Sequence, residues 1–133
     1  MPYVRGVGRA VNVLIVESRA ELAGIWRNAL IREGADVWVA TGGAEAVALL
    51  EDVTFDVIVL EVVLEEGSAL AIADLASYRQ PECKVVFVTN TTFFSDGTIF
   101  NYVSNAAAFL PSTTAPDDLA KLVEHHGTPR RPL

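Results

Sequence analysis

Three short runs of almost unbroken apolar, mostly β-branched residues constrain this chain more than any other feature: Val11-Asn12-Val13-Leu14-Ile15-Val16, Asp56-Val57-Ile58-Val59-Leu60 and Lys84-Val85-Val86-Phe87-Val88. They are too short for buried helices and lack polar alternation, so they read as strands covered on both faces, the pattern of a parallel sheet. Between them the pattern turns helical. Leu22, Ile25, Trp26, Ala29 and Leu30 predict an amphipathic helix over 19–33, with Gly34 as its C-cap. A second strand is expected over 35–40, and Gly42-Gly43 leads into a helix carrying Ala46, Leu49 and Leu50. Ser68 is placed to cap a helix with Ile72, Leu75 and Ala76 inward. A further helix over 96–104 rests on Ile99, Tyr102 and Val103, although Gly97 and Thr98 lower its propensity. A short strand comes next, over 107–110. Thr114, Pro116 and Asp117 then read as cap, early proline and capping-box acid of a last helix, whose apolar face is Leu119, Leu122 and Val123.

Strands alternating with helices imply an α/β fold of three layers, αβα, because each crossover returns the chain over one face of a parallel sheet. A chain of 133 residues with 51% hydrophobic and 20% charged residues suits one such domain, expected over 11–126, with 1–10 a flexible leader and 127–133 a flexible tail. A net charge of -7 repels phosphate backbones, so direct nucleic-acid binding is not expected. No apolar run is long enough to span a bilayer and the start lacks a signal-peptide core, so no membrane insertion is expected. The single cysteine, Cys83, suits a reducing cytoplasmic setting and a passive role. His125 and His126 sit where a helix C-terminus favours cations, a better account of them than a nucleophile triad. Gly6 and Gly8 precede the first strand instead of following it, and Glu17-Ser18-Arg19-Ala20 holds no glycine, which argues against a phosphate-cradling loop.

Open parallel sheets collect ligands outside the carboxyl ends of their strands. The candidates are therefore Glu17 and Ser18, Glu61, Thr89 and Asn90, and Ser112. If the first and third strands are neighbours, Glu17 and Glu61 face a common cleft. Two readings stay open there: the carboxylates hold a hard divalent ion such as Mg²⁺ with water completing the shell, or both are solvated acids at strand ends.

The segments Val13-Leu14-Ile15-Val16-Glu17, Asp56-Val57-Ile58-Val59-Leu60-Glu61, Glu65-Glu66-Gly67-Ser68-Ala69-Leu70, Val88-Thr89 and Ala106-Ala107-Ala108-Phe109-Leu110 together resemble the CheY-like receiver domain of bacterial two-component response regulators, in an atypical, pseudo-receiver form. The resemblance implies a flavodoxin-like (βα)5 fold with strand order 2-1-3-4-5. It also implies that Glu61 stands where the family has a phosphoacceptor aspartate, and Glu17 with Ser18 where it has an Mg²⁺-binding acid pair. Ser112 stands at the place of the lysine, and Thr89 and Phe109 at the hydroxyl and aromatic switch positions. Glutamate moves the carboxylate by about a bond length, and errors of about 1 Å can cost about 100-fold in rate. Ser18 supplies no second acid and Ser112 no cation for the phosphoryl oxygens.

The resemblance and these departures from it imply a domain that signals by binding a protein in trans, a histidine kinase or another signalling protein. Ordinary aspartyl phosphorylation and catalysis are not expected, nor any cofactor beyond a doubtful Mg²⁺. A charged Glu61 mimics part of a phosphorylated state or leaves an apo-like one; both stay open. Phe93, Phe94, Phe100 and Tyr102 crowd the predicted fourth helix, and two readings stay open: they close the core under a long loop, or they imply a protein partner or a homodimer through the face of helix four, strand five and helix five. The alternatives are an active phosphoacceptor with an altered Mg²⁺-dependent site and a small α/β enzyme or cofactor binder of similar topology.

Overall fold

The computed structural model describes residues 10–89 and 104–127. Asn90, the aromatics of the predicted fourth helix, that helix apart from Ser104, and the flanks apart from Ala10 and Gly127 lie outside the described residues.

The described elements are β1 (Asn12–Val16), α1 (Ala20–Arg32), β2 (Asp36–Ala40), α2 (Gly43–Asp52), β3 (Val57–Glu61), α3 (Ala69–Arg79), β4 (Lys84–Thr89), β5 (Ala106–Pro111) and α4 (Pro116–Gly127), which alternate as expected up to β4. The strands form one sheet in the order β2-β1-β3-β4-β5, with every neighbouring pair parallel. Order and layering agree with the sequence-based expectation.

The apolar strand runs lack polar alternation because both sheet faces are buried. Val13, Ile15, Val57, Val59, Val86 and Val88 pack with Trp26, Ala29 and Leu30 of α1 and Leu119 and Val123 of α4. Their neighbours Leu14, Val16, Ile58, Leu60, Val85 and Phe87 pack on the opposite face with Ala46 and Leu50 of α2 and Ile72, Ala73 and Ala76 of α3. Burying each large aliphatic side chain contributes about 1.5–3 kcal/mol, so these two half-cores hold the sheet between its helices. Cys83 is fully buried in the second, and burial pushes its thiol up to about 12, which makes it chemically passive. No helix among the described residues is long and apolar enough to cross a membrane.

Helix ends obey local chemistry. Gly34, at φ 93°, lies one residue past the C-cap Glu33, and its N–H bonds Ile31 O at 2.9 Å while Ala35 N–H bonds Leu30 O at 3.0 Å. This paired closure needs a left-handed residue, which glycine supplies without a Cβ penalty. The Ser68 hydroxyl caps α3 by accepting from Ala71 N–H at 3.2 Å, as expected. Thr114 does not cap the last helix: its hydroxyl donates to Pro111 O at 2.7 Å, and Asp117 pairs with Arg32 at 3.2 Å instead of closing a capping box. Pro116 does open that helix, which runs on through the buried Gly127.

Gln80, just past α3, ties three backbone groups together. Its carbonyl accepts from Phe55 N–H at 2.7 Å, and its amide donates to Leu50 O at 3.0 Å and Val53 O at 2.7 Å. It thereby fixes the turn from α2 into β3 and the height at which β3 delivers its last residue, Glu61.

Candidate functional site

Parallel strands end at one edge of the sheet, and Glu17, Ser18, Glu61, Thr89 and Ser112 are placed there. Glu17 comes directly after β1, and its N–H bonds Ala40 O at the end of β2 at 3.1 Å. Glu61 is the last residue of β3, beside β1, and is in register with Val88 of β4. Thr89 ends β4, opposite Pro111, and its carbonyl accepts from Ser112 N–H at 2.8 Å. Phe109 lies farther down β5 and stacks on Phe87, ring centroids 6.3 Å apart, at the border of the α2 and α3 half-core.

Glu17 and Glu61 are only 1% and 2% exposed, so neither is a solvated acid at a strand end. A carboxylate taken out of water needs a charged or hydrogen-bonded partner. Arg19 is that partner for both. Its Nε lies 3.1 Å from Glu17 Oε2, and its Nη2 lies 3.2 Å from Glu17 Oε1 and 3.0 Å from Glu61 Oε1. The Arg19 backbone N–H also donates to Glu17 Oε2 at 2.8 Å, which folds the loop after β1 back over the carboxylate. Glu61 Oε2 accepts from Val63 N–H at 3.1 Å.

The charges respond to these surroundings. The hydrogen bond to Glu17, reinforced by the fields of Glu17 and Glu61, raises the Arg19 pKa, so the guanidinium stays charged. Burial raises the Glu61 pKa, the Val63 amide opposes that, the neighbouring Glu17 adds to it and Arg19 opposes it.

The same geometry positions the loop after β3. Ser18 Oγ accepts from Glu65 N–H at 3.0 Å, so Ser18 joins the two loops beside the acids and contributes no charge. Beyond it, Gly43 N–H bonds Glu66 O at 2.9 Å, and Glu66 Oε1 accepts from Ala44 N–H at 3.3 Å at the start of α2. Gly67, at φ 96°, comes so close that a Cβ there would meet Gly43 Cα at 2.8 Å. The loop is thus tied to β1, to Glu61 and to α2.

A divalent ion does not fit this arrangement. Both carboxylates are already engaged by one guanidinium, at distances of 3.0–3.2 Å that suit charge-assisted N–H···O bonds. Mg²⁺ demands oxygens at 2.0–2.1 Å. Ser18 adds no charge to the site, and its hydroxyl oxygen accepts from Glu65 N–H.

Arg19 was absent from the candidates drawn from the sequence. An arginine in a loop beside acids reads as solvated, and its role emerges only once β1 and β3 are known to be neighbours. The available signal was a cation two residues after Glu17, in the segment that should have supplied acids.

The family model described as response regulator receiver domain matches residues 13–124. No curated protein matches the chain. Among solved structures, the chain is similar to a CheY-like response regulator receiver domain protein from Methanospirillum hungatei JF-1, at 19% identity and TM-score 0.81, covering 90% of this chain and 94% of that one. It is similar to the response regulator TrrA from Thermotoga maritima, solved in complex with Mg²⁺ and BeF, at 17% identity and TM-score 0.76, covering 87% and 98%. It is also similar to the N-terminal domain of a response regulator/sensory box/GGDEF 3-domain protein from Carboxydothermus hydrogenoformans, at 25% identity and TM-score 0.77, covering 87% and 93%. With the family match running from β1 into α4 and the strand order agreeing, the chain belongs to the response regulator receiver domain family, whose members are signalling switches that work through protein contact and not catalytic enzymes.

Proposed function

We propose that this receiver domain signals by contact with a protein partner and takes up no phosphoryl group at Glu61. The observation that carries this reading is the state of the Glu61 carboxylate: buried, with one oxygen bonded to Arg19 and the other to Val63 N–H. An attacking carboxylate oxygen needs a free approach to a phosphorus centre, and here the carboxylate is buried with a donor on each oxygen and the Arg19 side chain on its solvent side. The surrounding groups agree with this. Phosphoryl transfer is driven by positioning and by cations on the developing charge. Ser112 supplies no lysine, Ser18 no acid, and the cation that is present neutralises the would-be nucleophile. In this reading Thr89, which is buried, and Phe109, which stacks on Phe87, are core packing and do not follow a phosphoryl group.

Incubation with acetyl phosphate and Mg²⁺, then intact mass measurement, tests the proposal. Under conditions that label an ordinary receiver fully, this domain is expected to gain no phosphoryl mass. A stoichiometric adduct lost on Glu61→Gln substitution would overturn the proposal and make the domain an active phosphoacceptor with an altered site.

A further inference from the structure

We propose that Arg19 is the resident cation of this site: its guanidinium stands in for a divalent ion between Glu17 and Glu61 and keeps that ion out. The inference rests on the proposed function and adds what holds the site closed. A single atom, Nη2, lies within 3.2 Å of Glu17 Oε1 and 3.0 Å of Glu61 Oε1, while Nε takes the remaining Glu17 oxygen at 3.1 Å. Two carboxylates buried side by side repel each other and lack water, so the pair is relieved by a proton on one of them or by a positive charge beside both, and the guanidinium of Arg19 is placed to be that charge. Arginine suits the place because its planar fork reaches several oxygens at once and it cannot be deprotonated in a protein.

The cation is also covalently tethered. Arg19 N–H is fixed to Glu17 Oε2 at 2.8 Å, so the side chain starts at the site it fills. A short tether gives an effective concentration of about millimolar or above, which dissolved Mg²⁺ must exceed while also giving up tightly held water. The Arg19 side chain is 45% exposed and lies on the solvent side of two nearly inaccessible acids, closing them off like a plug. Through Glu61 and Val63 N–H, and through Ser18 and Glu65 N–H beside it, the closure extends to the loop after β3. The arrangement of both loops is thereby independent of metal.

The direct test tracks the Arg19 Nε–H resonance in the intact protein. It is expected to exchange slowly with water, to lose that protection in Glu17→Gln, and to stay unmoved at millimolar Mg²⁺. A saturable displacement of the signal by Mg²⁺ would overturn the inference. The second arm uses Mn²⁺ as the probe. Arg19→Ala is expected to show broadening of the amides around Glu17, Glu61 and Val63, with Mn²⁺ bound about tenfold or more tightly than in the wild type, and Arg19→Gln serves if the alanine variant does not fold. Equal Mn²⁺ affinity in wild type and variant would equally overturn it. The two proposals fail separately: a phosphoryl label with Arg19 unmoved ends only the functional reading, and Mg²⁺ displacing Arg19 without a label ends only this one.

Discussion

At Glu61 a carboxylate is held where water is excluded, and burial raises its affinity for a proton above the ordinary carboxylate range despite the Val63 amide and Arg19. The folded state therefore binds this proton more tightly than the unfolded chain. The stabilisation that Glu61 contributes is complete below its unfolded value, about pH 4, and is lost as pH rises through the folded value. Glu61→Gln cannot ionise, so the stability difference between wild type and variant should shift toward the variant as pH rises from about 4 to 7. Urea unfolding at several pH values reads this; parallel curves would contradict it. Arg19→Ala leaves two buried carboxylates facing each other. Breaking a buried pair costs about 3–5 kcal/mol, and the half-exposed guanidinium lowers that to about 2–3 kcal/mol. The same unfolding experiment checks it, and a loss under about 0.5 kcal/mol, as for a surface pair, would deny Arg19 its role. The positions of Glu17 and Glu61 were legible in the sequence because both end apolar strand runs. Their burial and their shared partner were not, since these depend on which strands lie side by side and on where three side chains turn.

Between elements, the loop after β3 is the part of the site most sensitive to a small change. Gly67 holds φ 96°, and a Cβ there would run into Gly43 Cα at 2.8 Å, whereas Gly34 holds φ 93° with open space around it. Both resist alanine on backbone grounds, at about 1 kcal/mol, but only Gly67 adds a backbone clash. Gly67→Ala should therefore destabilise by about 2–3 kcal/mol against about 1 for Gly34→Ala, read as the difference in unfolding midpoints. Equal losses would mean that α2 and the loop yield freely and do not form a rigid clasp. Much of this scale was visible beforehand. Ser68 reads as a cap because a hydroxyl precedes an apolar helical pattern, and Gly34 as a stop because only glycine takes that turn cheaply. Thr114 shows the limit: the same cap signal was present, but its hydroxyl satisfies Pro111 O, a local competitor that helix patterns do not reveal. Gln80 gave no signal, because the backbone groups it bridges come from other segments of the chain.

Across the whole molecule, a receiver sheet carries at its carboxyl-end edge two buried acids bridged by one arginine. The doubly covered parallel sheet was legible in the continuous apolar strands, whereas its order β2-β1-β3-β4-β5 was implied only by the resemblance to a receiver domain. Whether the edge still switches was not foreseeable, because a list of substituted residues does not reveal what fills the space they leave. In the proposed state this edge is closed by the chain's own cation and responds to neither metal nor phosphoryl group. The most direct measurement is a titration of the labelled domain with Mg²⁺, then with beryllofluoride, tracking the amides of Glu17, Glu61, Val63, Thr89 and Phe109. No saturable shift at millimolar ligand is the expected result; saturable shifts centred on Glu61 and spreading to Thr89 and Phe109 would contradict the account.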